Sequence, residues 1–221
     1  MDTTVLYYSA DTEDPVFESK IREKLLANIG NLPLVSVTQK PAPGFGKNIC
    51  VGKQLNCYAN EFRQIQIGLK EVSTPYVLVA EADCLYPPEY FQFKPPVRGR
   101  AYRYDNVWVQ YYLDPAKKGK FCFKRYSDCA QAIDRDLWLE KITNGLSDLP
   151  EWSVTGEAVP NVFQIKRDSN DVWSSKNPVV TFKTGDGVSR HTLLVKTVRP
   201  VSSLPYWGSA ESLKKEMFEN G

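Results

Sequence analysis

Short apolar runs and amphipathic stretches alternate along the first 90 residues. Residues 5–9, 34–37 and 76–80 are runs rich in β-branched, aromatic and aliphatic side chains, which predicts three strands. The run at 76–80 lacks the alternation of a half-exposed strand, as expected for a parallel strand covered on both faces. We therefore expect a layered fold with a buried sheet.

Two helices are predicted between these strands. The first follows Asp14-Pro15, a cap residue and a proline at the first helical position. Its apolar positions recur every four residues at Phe17, Ile21, Leu25 and Ile29. The second helix follows a Pro/Gly loop at 41–48, and its apolar positions are Leu55, Tyr58, Phe62, Ile65 and Leu69. The order β-α-β-α-β predicts an α/β fold, with a mostly parallel central sheet flanked by helices.

The alternation of predicted strands and helices ends at Pro95-Pro96. Residues 102–112 and 120–126 predict strands of a smaller mixed sheet, and 134–144 predicts a helix. Short strands and loops are expected over 150–205, and a last helix begins near Ser209. We interpret 1–94 and 95–221 as two halves of one domain.

Composition narrows the class of protein. The 221 residues are 42% hydrophobic and 24% charged, as in a globular domain. No apolar run reaches the roughly 18–20 residues of a membrane helix, and the first residues lack a basic signal flank. We therefore expect a cytoplasmic protein with no membrane partner. The five cysteines include no C-x-x-C pair, which favours reduced thiols over disulfides or a zinc ribbon.

Two carboxylates follow the third predicted strand directly. Glu81 and Asp83 are one residue apart, so in an extended segment both side chains point the same way. Ligands of parallel sheets bind beyond the carboxyl ends of the strands. Oxygen ligands of this kind suit Mg²⁺ or Mn²⁺ carrying a diphosphate. A solvated acidic turn is the alternative, and the spacing alone leaves both open.

The segment 79–87 resembles the D-x-D motif of nucleotide-sugar glycosyltransferases with the GT-A fold. In both, a buried strand is followed by the acidic pair and then by Leu-Tyr-Pro. The loop 45–48 resembles a Gly-Lys-Asn element of small members, and 9–11 lies where that family contacts the nucleobase. This chain departs from the strict motif in having Glu81. The resemblance covers residues 4–93 well and implies a GT-A, Rossmann-like fold with a smaller acceptor-side sheet.

The resemblance also implies roles for individual residues in the 1–94 half. Asp83 would bind the metal that bridges the diphosphate, and Glu81 would lie near the ribose or the metal's water shell. Ser9 and Asp11 would contact the nucleoside, and Lys47 would point towards the nucleotide. The implied cofactor is Mn²⁺ or Mg²⁺, and the implied donor is a UDP-sugar.

The 95–221 half would supply the acceptor site and the remaining ligands. A histidine often completes the metal site in this family, and this chain has only His191. A lone histidine is also commonly a surface or core residue. Arg190 beside it would offset diphosphate charge, because guanidinium groups suit phosphate.

An inverting transferase needs a carboxylate to take the proton of the acceptor hydroxyl. Glu157 and Asp136 are the candidates, with Asp134 as a further one that also fits a helix cap. Gly156-Glu157 loosely resembles the Gly-Glu-Asp acceptor element of inverting members but lacks its Asp. No Ser/His/Asp nucleophile set is suggested by the sequence.

Excess positive charge is confined to one stretch. Residues 94–126 hold nine basic and two acidic groups, interleaved with aromatic side chains. Cations pair with phosphates and aromatic faces stack on bases, which predicts nucleic-acid binding. The predicted contacts are Arg98, Arg100, Arg103, Lys117, Lys118, Lys120, Lys124 and Arg125. The alternative is a mixed sheet with aromatics inward and cations outward.

These observations favour a UDP-sugar-dependent glycosyltransferase. The chain is similar to compact phage-type glycosyltransferases that act on 5-hydroxymethylpyrimidines in DNA. That implies double-stranded DNA containing 5-hydroxymethylcytosine as acceptor, with no obligate protein partner. The alternatives are a glycan or small-molecule acceptor, or a non-catalytic nucleic-acid-binding module. The segment 206–208 (Tyr-Trp-Gly) is interpreted as an aromatic lid over the acceptor or as packing.

Overall fold

The computed structural model describes residues 2–111, 119–157, 171–185 and 197–219. In chain order, the elements are β1 (Thr3–Ser9), α1 (Pro15–Asn28), β2 (Leu34–Thr38), β3 (Lys47–Cys50), α2 (Tyr58–Glu71), β4 (Tyr76–Glu81), β5 (Cys84–Leu85), a 3₁₀ helix (Pro88–Gln92), β6 (Ala101–Tyr104), β7 (Val107–Tyr111), β8 (Phe121–Arg125), β9 (Gln131–Asp134), α3 (Arg135–Gly145), β10 (Val172–Trp173), β11 (Val179–Lys183), β12 (Ser203–Leu204), β13 (Gly208–Ser209) and α4 (Ala210–Phe218).

A seven-stranded sheet forms the centre of the fold, in the order β10-β6-β9-β4-β1-β2-β3. Strands β4, β1, β2 and β3 are parallel, whereas β9 is antiparallel to both of its neighbours. The predicted α/β class, with a mostly parallel sheet flanked by helices, is confirmed. We call the end of the sheet at Ser9, Thr38 and Glu81 the carboxyl edge. The end at Thr3, Leu34 and Tyr76 is the amino edge.

Helix α1 forms as its sequence predicts. The Asp14 side chain accepts hydrogen bonds from the backbone N–H groups of Val16 and Phe17, and Pro15 is the first helical residue. These bonds satisfy N–H groups that have no partner within the helix. The apolar side chains that recur every four residues are buried against the sheet.

Helix α2 starts later than predicted and buries a partly polar face. Leu55 and Tyr58 are 44% and 47% exposed, so neither belongs to the core. Gln64 is buried and donates hydrogen bonds to the backbone carbonyls of Ser9 at 2.8 Å and Val37 at 3.2 Å. Because a buried amide needs such partners, a polar side chain takes a core position here. The helix thereby holds the ends of β1 and β2 together.

The strands differ from the prediction in three places. The predicted loop at 41–48 ends in β3, a parallel edge strand that pairs with β2. The predicted strand at 102–112 is two strands, because Asp105 and Asn106 lead the chain from the central sheet to a second one. Strand β9 was missed, because it has only four residues and the Asp134 side chain at its end caps α3.

The second sheet has the order β5-β11-β7-β8 and is the predicted smaller mixed sheet. Strand β11 is parallel to β7 and antiparallel to β5, with Thr181 opposite Cys84. Since β5 begins three residues after β4 ends, the turn between them joins the two sheets at the carboxyl edge. Within the described residues, no helix is long and apolar enough to cross a membrane.

Candidate active site

The two predicted carboxylates lie at the junction of the two sheets. Glu81 is the last residue of β4, and its Oε1 accepts a hydrogen bond from the Tyr8 hydroxyl at 2.7 Å. Asp83 is in the following turn, where its carbonyl oxygen accepts a hydrogen bond from the Phe182 N–H at 2.8 Å. Both carboxyl groups are half-buried. The acidic pair is therefore held by both sheets.

A third carboxylate, Glu61, approaches this pair from the first turn of α2. Burial, together with the carboxylates of Glu81 and Asp83, raises the pKa of Glu61 to about 8. Burial and the charge of Asp83 likewise raise the pKa of Glu81 to about 7, against the hydrogen bond from Tyr8. Three acidic groups thus crowd one place, and burial together with the neighbouring carboxylates disfavours the ionised forms of Glu61 and Glu81.

Two lysines partly balance this acidic charge. Lys183 is the last residue of β11 and lies opposite the turn of Asp83, as the pairing of β11 with β5 requires. Burial alone would lower its pKa, but the charges of Asp83 and Glu81 raise it. Lys124 is half-buried, favours the ionised form of Glu81, and donates to the Ser127 hydroxyl at 2.6 Å.

Sequence reasoning missed Glu61 and Lys183. Lys183 carries a signal that was available, because it ends a β-prone apolar run before Thr184-Gly185, as Glu81 ends the run of β4. Glu61 carries no such signal, since nothing in a helical pattern shows which polar residue points at a neighbouring strand. Both belong to the site only through long-range packing.

Two buried thiols lie beneath the carboxylates. The Cys84 sulfur donates a hydrogen bond to Asp83 Oδ1 at 3.0 Å, and burial raises the pKa of Cys84 well above its ordinary value. The ligand atoms of Glu81, Cys84 and Cys129 all lie within 4.8 Å of one another. The expectation of reduced cysteines agrees with the free thiols in the structure.

Ser9 and Asp11 lie at the carboxyl edge, where sequence reasoning put them. The carboxylate of Asp11 accepts hydrogen bonds from Arg22 at 2.6 Å and from the N–H groups of Gln39 at 2.6 Å and Lys40 at 2.7 Å. The Ser9 hydroxyl accepts a hydrogen bond from the Asp11 N–H at 2.9 Å. These bonds tie the loops after β1 and β2 together. Contact with a nucleoside stays a prediction for both residues.

Lys47 and Asp136 lie at the amino edge of the sheet, opposite the carboxyl edge where Glu81 lies. Lys47 begins β3 beside Val35, at the amino edge, and its Nζ lies 2.5 Å from Glu71 Oε2. Asp136 follows β9, whose last residue pairs with the first residue of β4, and it contacts Arg98 at 3.0 Å. The structure therefore does not bring Lys47 or Asp136 together with Glu81 and Asp83. The register of β3 and the missed strand β9 account for both corrections.

Glu157 lies in a loop fastened to the start of α2. The Asn60 side chain accepts a hydrogen bond from the Ser153 N–H at 2.7 Å and donates one to the Ser153 carbonyl at 2.9 Å. Hydrogen bonds from the Ser153 and Thr155 hydroxyls lower the pKa of Glu157. Because Asn60 adjoins Glu61, this loop is on the carboxyl side of the sheet. The role of Glu157 as the base stays a prediction.

The described cations of the basic stretch lie at both edges of the sheet. Its described arginines each contact an aspartate: Arg98 with Asp134 and Asp136, Arg100 with Asp171, Arg103 with Asp128, and Arg125 with Asp105. Arg98 and Arg100 lie at the amino edge, whereas Arg103, Lys124 and Arg125 lie around the β8–β9 turn at the carboxyl edge. Lys120 is exposed. Lys117, Lys118, Arg190 and His191 lie outside the described residues.

The aromatic segment 206–208 packs at the amino edge, away from the acidic cluster formed by Glu61, Glu81 and Asp83. The Tyr206 hydroxyl donates to Asn28 Oδ1 at 2.9 Å, and Asn28 is the last residue of α1. The Trp207 ring N–H donates to the Pro178 carbonyl at 2.6 Å. This placement supports the packing interpretation and not a lid over the acidic cluster.

Neither a protein-family model nor a curated protein matches the chain. Among solved structures it is similar to the glycosyltransferase GlyE of Streptococcus pneumoniae TIGR4, at 9% identity and a TM-score of 0.46, over 98% of this chain and 60% of that chain. A glycosyltransferase involved in the glycosylation of the major capsid of PBCV-1 matches at 15% identity and a TM-score of 0.39, over 67% of this chain and 68% of that one. The bifunctional IspDF of Campylobacter jejuni matches at 10% identity and a TM-score of 0.42, over 68% of this chain but only 46% of that protein. At these identities and scores, the likenesses assign no activity to the chain.

Proposed function

We propose that the protein is a metal-dependent glycosyltransferase that moves a sugar from a nucleoside-diphosphate-sugar, such as a UDP-sugar, to a hydroxyl acceptor. The observation that carries this proposal is the convergence of Glu81, Asp83 and Glu61 at the carboxyl edge of a parallel sheet. Ligands of open α/β sheets bind at that edge. The half-buried Lys183 beside the carboxylates adds a group that suits phosphate oxygens.

The three carboxylates are suitable ligands for Mg²⁺ or Mn²⁺. Carboxylate oxygens are the ligands these cations prefer, and a divalent charge would offset the burial and the repulsion between carboxylates that together raise the pKa of Glu61 and Glu81. Asp83 and Glu81 would hold the ion, which supplies Lewis-acid stabilisation of the departing diphosphate. His191 stays a predicted addition to this ligand set, and Arg190 stays a predicted contact of the diphosphate.

The protein's own residues would position the donor and move one proton. Tyr8 orients Glu81 through its hydroxyl, and Lys183 would donate hydrogen bonds to a phosphate oxygen. The acceptor oxygen forms its bond to the anomeric carbon while the bond from that carbon to the diphosphate oxygen breaks. In an inverting reaction, Glu157 would accept the proton of the acceptor hydroxyl.

DNA containing 5-hydroxymethylcytosine is the acceptor we propose first. Support comes from the cations of the β8–β9 turn, where the Arg103 guanidinium lies 4.5 Å from the centroid of the Tyr126 ring. Cations and an exposed aromatic ring suit phosphates and an extruded base. The aspartates that contact Arg98 and Arg100 weaken the case for the rest of the basic stretch. A glycan or a small hydroxyl compound is therefore the alternative acceptor.

The test combines donor binding with product mass. The full chain is incubated with Mn²⁺, a panel of UDP-sugars, and either 5-hydroxymethylcytosine DNA, unmodified DNA or an oligosaccharide. We expect UDP release and a sugar-sized mass increment on one acceptor. Asp83→Asn should lower turnover by about 10²- to 10³-fold, since several kcal/mol of transition-state stabilisation would be lost.

Asp136→Asn is the matched control, because it removes a carboxylate at the amino edge, and it should keep normal turnover. Transfer to the oligosaccharide alone would replace the DNA proposal with the alternative acceptor. DNA binding without binding of any UDP-sugar would instead favour a non-catalytic nucleic-acid-binding module. Turnover that is equal in Asp83→Asn and the unmutated protein would refute the proposed metal site.

A further inference from the structure

Glu81, Cys84 and Cys129 form a mixed cluster of one carboxylate and two thiols. They come from three segments: the end of β4, the start of β5 and the loop before β9. Their ligand atoms all lie within 4.8 Å of one another, and both thiols are buried, with 1% and 4% exposure. Glu81 is the one member of this cluster that is partly exposed.

The backbone around this cluster is held in place. The Tyr86 hydroxyl accepts a hydrogen bond from the Glu81 N–H at 3.0 Å and donates one to the Cys129 carbonyl at 2.7 Å. Cys84 is fixed by the pairing of β5 with β11. A site whose ligands are oriented by surrounding hydrogen bonds loses little freedom when an ion binds.

The donor atoms indicate which ion fits. Thiolates favour zinc and other thiophilic metals, whereas Mg²⁺ prefers oxygen ligands only. We propose that Glu81, Cys84 and Cys129 bind Zn²⁺ or a chemically similar thiophilic divalent cation. Asp83 Oδ1, which lies 3.0 Å from the Cys84 sulfur, is within reach as a further oxygen ligand. This site goes beyond the proposed metal–diphosphate site, because it uses sulfur ligands and needs no nucleotide.

Charge and protons balance without a redox change. Each thiol releases its proton to solvent as its sulfur bonds to the divalent ion, and the metal keeps its oxidation state. Loss of the Cys84 proton also removes the hydrogen bond that this thiol donates to Asp83. The bound zinc would then compete for Glu81 with the Mg²⁺ or Mn²⁺ that accompanies the nucleotide-sugar. Zinc would therefore inhibit a reaction that needs Mg²⁺ or Mn²⁺.

The test uses Co²⁺ as a coloured probe in place of zinc. The full chain is stripped of metal, kept reduced with a phosphine, and titrated with Co²⁺ while thiolate-to-cobalt charge-transfer absorption is recorded. We expect one equivalent to bind, and we expect Zn²⁺, but not a large excess of Mg²⁺, to displace it. Cys84→Ser and Cys129→Ser should each weaken binding by at least about 100-fold, since each removes a direct ligand.

Cys122→Ser is the matched control, because Cys122 is a buried thiol on β8 outside the cluster, and it should keep the band. No band in the unmutated protein, or a band that persists in both cluster variants, would overturn the proposal. The competition of Zn²⁺ against Mg²⁺ in the unmutated protein decides the question even if a serine variant fails to fold. Since the assay contains no nucleotide or sugar, its outcome is separate from that of the transferase test.

Discussion

Carboxylates at the two edges of the central sheet have pKa values that are shifted in opposite directions. At the carboxyl edge, burial and neighbouring carboxylates raise the pKa of Glu61 and Glu81. At the amino edge, burial alone would raise the pKa of Asp134, but the Arg98 guanidinium and the N–H groups of Gly99 and Leu137 lower it. The carboxylates around Glu81 thus repel each other, whereas Asp134 at the amino edge is paired with a cation.

This difference in charge pairing distinguishes carboxylates that support the fold from carboxylates that are candidates for ligand binding. A paired carboxylate that also caps a helix stabilises the fold and needs nothing further. Carboxylates that crowd one another cost folding free energy, and such arrangements concentrate where a protein binds or reacts. The proposed function therefore predicts ligand binding at the carboxyl edge and structural support at the amino edge. Three substitutions, each with a partner substitution at the other edge or the same position, test the contrast.

Lys183→Met tests the carboxyl edge most strongly. If Lys183 donates to a donor phosphate, its loss removes a hydrogen bond between charged groups, worth roughly 1.5–3 kcal/mol. We expect UDP affinity in the presence of Mn²⁺ to fall about 10- to 100-fold, while uridine, which lacks phosphates, binds unchanged. Calorimetric titration measures both ligands. Lys47→Met, a lysine at the amino edge, should leave both affinities unaltered, and equal losses in the two variants would remove the contrast.

Glu61→Gln tests the cost of crowded carboxylates. An unfolded glutamate ionises near pH 4.5, whereas the folded Glu61 keeps its proton up to about pH 8. The folded state therefore binds more protons between these values, and the free energy of unfolding falls as pH rises from about 4.5 to 8. Glu61→Gln removes this loss, so we expect it to be more stable than the unmutated protein by about 1–3 kcal/mol at pH 8.

Urea unfolding from pH 4.5 to 8.5, without divalent ions, measures this difference. The stabilisation should shrink towards zero at the acidic end, because both proteins are then uncharged at position 61. Glu71→Gln, which removes an exposed carboxylate paired with Lys47, should show no such gain at pH 8. A pH-independent effect of Glu61→Gln would mean that packing and not charge is responsible.

Local sequence signals predicted one part of the site. Glu81 and Asp83 could be identified because they directly follow a buried apolar strand, so their place in the chain determines their place in the fold. Lys183 also ends a β-prone apolar run, but its position beside Asp83 depends on the pairing of β11 with β5, about 100 residues earlier in the chain. Lys47 was misplaced because no pattern in the Pro/Gly loop reveals the register of β3.

Charge counted along the chain was the least reliable guide to a surface. The basic stretch looked unbalanced because its acidic partners come from elsewhere: Arg98 contacts Asp134, and Arg100 contacts Asp171. Proximity in sequence says little about such pairs, because sheet order brings them together. By contrast, α1 was predicted closely, because its cap and its apolar repeat lie within sixteen residues of one another, from Asp14 to Ile29.

Asp134 tests the amino edge and should give the smallest effect. Its carboxylate accepts hydrogen bonds from the N–H groups of Asp136 and Leu137 at 3.1 Å each, which caps α3. Asp134→Ala should destabilise the fold by about 1 kcal/mol, the usual cost of losing a cap, whereas Asp134→Asn, which can still cap, should cost less. Because the pKa of Asp134 is lowered in the fold, its contribution is present at neutral pH and is lost as the carboxylate protonates in acid. Urea unfolding at pH 7 and pH 3 measures this, and UDP affinity should be the same in both variants. A change in UDP affinity on substituting Asp134 would show that the two edges are coupled and that charge pairing does not separate scaffold from site.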